Sequence, residues 1–284
     1  MKATSISARR PTRRKAISRR KSHGGALLKT VIHPSAFVHP RARIGEGCEI
    51  GPYCVIGEHV ELGPGCRLFS HVVIDGHTKL GRENEIFPFA SIGLRTQDLK
   101  WRGGLTRTEI GERNTIRECV TIHSATGEGE STVIGCDNSI LAGSHIGHNV
   151  VLGNRIVVSM AALAGHVIVE DYALVGGLSA VHQFCRIGTM SIIAGCAKVV
   201  QDVPPFMLVD GNPAATRSVN RVGLERNGVS ERAQAALRRA YKILFRDGLT
   251  IPNALAKIES DLPRIPELLH LVEFVRNSER GITK

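Results

Sequence analysis

Two histidines three residues apart, His145 and His148, stand in the segment ILAGSHIGHNVVLGN, residues 140–154, among aliphatic residues and glycines. An unperturbed imidazole titrates near pH 6.5, so it can take up a proton at neutral pH and return it; this is the chemistry of a general base. Further along stand Gly165–His166, in LAGHV, and His182–Gln183, in VHQFC. A lone histidine on a turn more often faces solvent than does chemistry, and that is expected of His33, His39, His59 and His270. The others form a reaction centre only if the chain's geometry brings them together.

That geometry is written in a repeat. From Ile32 every sixth residue is aliphatic as far as Ile92; the count resumes at Ile110 and at Ile134, loses one residue after Leu152, and continues from Val157 to Val199. All 26 positions are Ile, Leu or Val, residues that make up about a quarter of ordinary sequence. The residue after the aliphatic one is Gly in twelve cases, read here as supplying the positive φ of a tight corner. The fourth residue after it is small or β-branched, as at Ala42, Cys48, Cys54, Val60 and Cys66. Such a period predicts very short strands joined by sharp corners, each sending one aliphatic side chain inward. Three strands close a triangular coil, and coils stack about 4.8 Å apart through parallel hydrogen bonds. The fold class is therefore mainly β, a parallel β-helix followed by a small helical region.

Counting by coils predicts that His148, Gly165–His166 and His182–Gln183 share one side of three consecutive coils. Two segments, 93–109 and 123–133, interrupt the ladder and read as loops thrown out from an intact prism, where function tends to sit. The root of the first, Ile92, is expected three coils before His148, about 14 Å away. The missing residue between Leu152 and Val157 predicts a distorted corner, with a bulge as one form of it. Pro204 and Pro205 cannot extend a sheet, so the prism is expected over 31–204, a linker over 205–220 and a helical domain over 221–284. Three helices are expected there, the first capped by Ser230 and stopped at Gly248, the others with Pro252 and Pro266 near their starts.

The formal net charge of +11 suggests nucleic acid until it is located: residues 1–30 hold ten Lys or Arg and no acid, leaving 27 basic against 26 acidic residues in the body. The basic tail, 1–30, reads as disordered, and no nucleic-acid partner is expected, although organelle targeting by the tail remains open. No apolar run reaches transmembrane length. Seven cysteines without a CxxC pair point to reduced thiols in the cytoplasm; Cys48, Cys54, Cys66 and Cys185 fall on the small inward position.

In order along the chain come SHVVIDGHTKLG, FASIG, QDLK, IRECVTIH, HIGHN, GNR, LAGHV, VHQFC and QDVPP, then a helical tail. From about residue 31 to the end the sequence resembles the UDP-N-acetylglucosamine 3-O-acyltransferase family, hexapeptide-repeat proteins with a left-handed parallel β-helix. The resemblance implies the first reaction of lipid A synthesis, with acyl carrier protein as donor, UDP-N-acetylglucosamine as acceptor, a homotrimer with sites between subunits, and no cofactor or metal. It implies His148 as general base and the Gly165 N–H as oxyanion donor. Gln97, Asp98, Lys100, His145, His166, His182 and Gln183 would contact substrate, as would Asn220 and Arg226 on the nucleotide side. Gly195 matches a position bounding the acyl groove, where glycine favours a longer chain. Two departures stand out: Asn149 follows His148 where the family can carry Asp, and Val222 stands where it can carry Glu. Three other readings stay open: an N-acyltransferase using a 3-amino sugar, a zinc-dependent hydratase on the same fold, and a non-enzymatic β-helix scaffold.

Overall fold

The computed structural model describes residues 29–284, so all but the last two residues of the expected tail lie outside the described residues. Nearly every strand of the prism is two residues long, an outward residue followed by a buried Ile, Leu or Val. The strands build three flat faces. Face one runs from Val31–Ile32 to Ile192–Ile193, face two from Phe37–Val38 to Lys198–Val199, and face three from Arg43–Ile44 to Arg186–Ile187. All pairings between coils are parallel. The axis is filled by stacked aliphatic side chains.

The corners differ from the expected ones in an instructive way. Positive φ falls on the third residue after the inward aliphatic, and it is usually not glycine there: Tyr53, Phe89, Arg113, Asn149, His166 and Phe184 have φ between 55° and 64°. Glycine at the first position has another reason. A methyl built on Gly45 would lie 2.7 Å from the backbone of Gly63 and Pro64 in the next coil. At Gly45 it is close approach of coils, not backbone handedness, that excludes a side chain.

Buried Cys48, Cys54 and Cys66 point their thiols at carbonyls of Gly63, Phe69 and Gly81, 2.8–3.2 Å away. On the edge between faces three and one, Cys48 and Cys66 give way to asparagines in later coils. Asn84, Asn114 and Asn138 stack there, each amide oxygen accepting from the backbone N–H of the residue above. Their amide nitrogens donate to corner carbonyls at 2.8–3.0 Å. This edge is charged outside, with Arg113 bridging Glu112 and Asp137. The edge between faces one and two is apolar instead, carrying exposed Tyr53, Phe89, Met160 and Leu178.

The loops are insertions into the coil rather than replacements of whole hexads. Ile92 pairs with Ile122, which pairs with Ile146, so the first loop's root is two coils from His148, not three. The lost residue also sits one corner later than expected. Val158, not Val157, is the inward residue paired with Ile140, and the short corner is Ser159–Ala161. Register recovers at once: the His166 N–H still reaches the His148 carbonyl at 3.0 Å.

The prolines do not end face one. Met207–Asp210 adds a further parallel strand against Ile192–Ile193, then Ala215–Val219 returns antiparallel. The expected linker is thus largely a hairpin. Four helices follow: α1 (Arg221–Arg226), α2 (Glu231–Phe245), α3 (Ile251–Asp261) and α4 (Pro266–Arg276). Ser230 caps α2 through the Ala233 N–H, and Gly248 takes φ +69° beyond it. The short α1 was not expected. Apolar faces of the helices bury a second cluster around Leu224, Leu237, Leu255, Leu271 and Phe274. The chain's last residues return to the prism, where Asp202 accepts from the Arg186 N–H and the Ser278 hydroxyl, both at 2.8 Å. His270, expected in solvent, instead lies 2.7 Å from Glu170 and ties α4 to face three.

Candidate active site

Both loops leave face two and rejoin face three, so they arch over the edge between them. His148, Gly165 and Gln183 each stand two residues past an inward aliphatic on that edge, Ile146, Leu163 and Val181, in three successive coils. The same corner position carries proline at Pro34, Pro40, Pro52, Pro64 and Pro88. Its N–H is therefore not required for stacking, and that of Gly165 donates to no group among the described residues. His148 packs so closely on Gly165 that a methyl there would come within 3.0 Å of three ring atoms.

A cleft of about 580 Å³ runs along this edge. It gathers Gln97, Asp98 and Lys100 from the first loop with His145, His148, Gly165, His166 and Gln183 from the coils. His148 Nε2 faces Asp98 Oδ2 at 3.8 Å, and its Nδ1 lies 3.0 Å from Asn149 Oδ1. The backbone N–H of Lys100, donating to Asp98 at 2.9 Å, pulls that carboxyl below its usual range. His145 Nδ1 is 2.7 Å from the Thr121 hydroxyl, and burial beside His148 lowers its pKa. His166 stands edge-on to His148 and stacks on Phe184; burial and His148 lower it too. Both shifts favour the neutral ring, and the Asp98 carboxyl faces His148 across the cleft.

The cleft also holds residues that the sequence reading passed over. His123, packed edge-on to His145, is pushed down to about 4 by burial. It occupies the corner position of Gly147 and Ala164, so an accurate coil count finds it. Thr126 and Glu130, on the second loop, complete the wall, and no periodicity reaches them.

Four expected site residues lie elsewhere on the protomer. His182 is exposed and outside the cleft's lining, with Nδ1 3.2 Å from the Gln183 carbonyl. Gly195 lies on the edge between faces one and two, across face two from His148, where a methyl would touch only the Gly177 carbonyl at 3.2 Å. Asn220 is buried as the cap of α1, accepting from the Gly223 N–H and donating to the Met190 carbonyl. Arg226 is exposed in the last turn of α1. Among the described residues, no group of three or more His, Cys, Asp or Glu is placed to hold a metal ion.

Residues 202–283 match the model of UDP-N-acetylglucosamine O-acyltransferase domain 2, and residues 29–64 match that of the bacterial transferase hexapeptide of six repeats. Solved LpxA from Acinetobacter baumannii is 40% identical over 89% of this chain and 100% of its own, with a TM-score of 0.86. The chain belongs to the UDP-N-acetylglucosamine O-acyltransferase family. Its coil is accordingly the left-handed parallel β-helix of this family, and it is an acyltransferase. The UDP-N-acetylglucosamine acyltransferases of Bacteroides fragilis and Arabidopsis are 36% and 38% identical, with TM-scores of 0.86 and 0.82, each over 89% of this chain and 100% of its own. No helix among the described residues is long and apolar enough to cross a membrane.

Proposed function

We propose that this acyltransferase moves a 3-hydroxyacyl chain from acyl carrier protein to the 3-hydroxyl of UDP-N-acetylglucosamine, the first step of lipid A synthesis. The observation that carries the reading is the column on the cleft edge: an imidazole nitrogen open to the cleft beside a backbone N–H that the fold leaves unused. His148 Nε2 takes the proton of the sugar hydroxyl as its oxygen attacks the thioester carbonyl. A C–O bond forms, and negative charge moves to the carbonyl oxygen, toward the Gly165 N–H. Collapse of the intermediate breaks the C–S bond, and the thiolate leaves with the proton from the His148 imidazolium. The thioester is already activated, so no side-chain nucleophile is needed. Asp98, with Gln97 and Lys100 beside it on the first loop, accepts hydrogen bonds from the sugar hydroxyls.

Gly195 and His148 lie on opposite edges of face two, and Asn220 and Arg226 lie on the prism's helical end. One protomer cannot present all four to one substrate. A homotrimer that packs the apolar edge of one protomer against the cleft of the next does so, with Gly195 bounding the acyl groove and Arg226 meeting the diphosphate.

The test is a mass-spectrometric assay with UDP-N-acetylglucosamine, its 3-amino counterpart and a panel of 3-hydroxyacyl carrier proteins. Expected is an ester product from the 3-hydroxy sugar, with longer chains preferred. His148→Ala is expected to lower turnover about 10²–10⁴-fold. Near-normal turnover in that variant, or amide formation alone, overturns the reading.

A further inference from the structure

The neighbour of the base is an amide, Asn149, and an amide alone is an ambiguous partner. Its two ends are nearly the same shape, and only the carbonyl end can hold the Nδ1 proton of His148. Two contacts decide which end faces the ring. Asn149 Nδ2 lies 2.7 Å from Glu130 Oε2, an atom that only accepts. Asn149 Oδ1 lies 3.0 Å from the Thr126 N–H, a group that only donates. Turning the amide over would set oxygen against carboxylate and nitrogen against N–H. The Asn149 amide and the Gly127 N–H, which donates to the same Glu130 oxygen at 2.9 Å, hold that carboxyl below its usual range.

We infer that Glu130 is a positioning residue for the base, fixing the Asn149 amide and, through it, the proton of His148 on Nδ1. With Asn149 Oδ1 3.0 Å from His148 Nδ1, the contact is a hydrogen bond only when Nδ1 carries the proton. A neutral ring then keeps its lone pair on Nε2, the nitrogen toward the cleft. Asp98 does not compete for the opposite tautomer, because 3.8 Å to Nε2 is too long for a hydrogen bond. When the ring becomes an imidazolium, the Glu130 charge stabilises it through the polarised amide. An aspartate at 149 would supply that charge directly; here it comes from the second loop, one group removed.

The inference rests on His148 acting as base, and its test separates the two. Nitrogen-15 shifts of labelled histidine, with His148 assigned by its loss in His148→Gln, read the tautomer without substrate. The wild type is expected to carry the proton on Nδ1, and Glu130→Ala to show a mixture. In the acyl-transfer assay, Glu130→Ala is expected to lower kcat about tenfold or more, with KM for the acceptor changed less than about twofold. Adding Asn149→Asp to Glu130→Ala is expected to restore most of that kcat, which repair of a merely structural loop contact would not do. A wild-type proton on Nε2, an unchanged kcat in Glu130→Ala, or a loss that Asn149→Asp leaves in place overturns the inference. A wild type that does not acylate the sugar overturns the proposed reaction instead, leaving the tautomer to be decided by the spectra.

Discussion

Gly165 offers an N–H that the coil does not use, and it leaves room for the His148 ring, which any Cβ would displace. Gly165→Ala keeps that N–H but is expected to lower kcat about 10²-fold by moving the His148 ring off its station. Circular dichroism should show the coil unchanged; activity within about twofold of wild type would break the assignment of His148 as base. The sequence made this pair legible because both residues occupy one corner position in adjacent coils, and counting finds such columns. Glu130 and Thr126 were not legible, because a loop side chain's reach is set by hydrogen bonds that no period encodes. Asn149 was legible as a departure, while what compensates for it was visible only in space.

At the scale of elements, the corner between faces three and one shows how a repeat tolerates buried polarity. Asn114 accepts from the Asn138 N–H, donates to the Asn84 oxygen and donates to the Gly135 carbonyl. Asn114→Ala strands these groups without water and is expected to destabilise the coil by about 1–3 kcal/mol, measured by denaturant unfolding. Asn114 stands at the fourth position after Ile110, where small or β-branched residues were expected, and no period tells that an amide would be satisfied there. A second element-scale device joins α4 to face three. The Glu170 hydrogen bond holds His270 above its ordinary 6.5, against burial and the nearby Arg186 and with help from Glu273. Burial raises Glu170, but His270 and Thr189 outweigh it and leave it below its ordinary 4.5. The histidine's share of stability is then complete below pH 6.5 and lost as pH rises through its raised value; the carboxylate's is complete above pH 4.5 and lost as pH falls. Wild type is expected to exceed His270→Gln by on the order of 1 kcal/mol near pH 5.5, with the difference fading as pH rises through the histidine's raised value. A difference independent of pH would rule out the ion pair as its source. The sequence hid this contact because the two residues are a hundred positions apart and share no period.

For the whole molecule, one edge is charged, one carries the cleft, and one is apolar. Leu178 on the apolar edge is 67% exposed in the protomer. On the proposed homotrimer, Leu178→Arg is expected to leave monomers of 30.7 kDa by light scattering and to abolish turnover with it. A variant that stays trimeric would move the subunit contact elsewhere. The three-sided coil itself was almost wholly legible, since 26 aliphatic positions fix period, face and stacking order. Its upper end was not: the hairpin after Pro205 joins face one by backbone pairing, which proline content argued against. The two ends of the coil now differ in kind. The hairpin, the helices and the returning C-terminal residues close one; at the other, among the described residues, Val31, Ile32 and Phe37 stand exposed. Stacking a further coil on the closed end would require displacing the C-terminal residues that Asp202 holds.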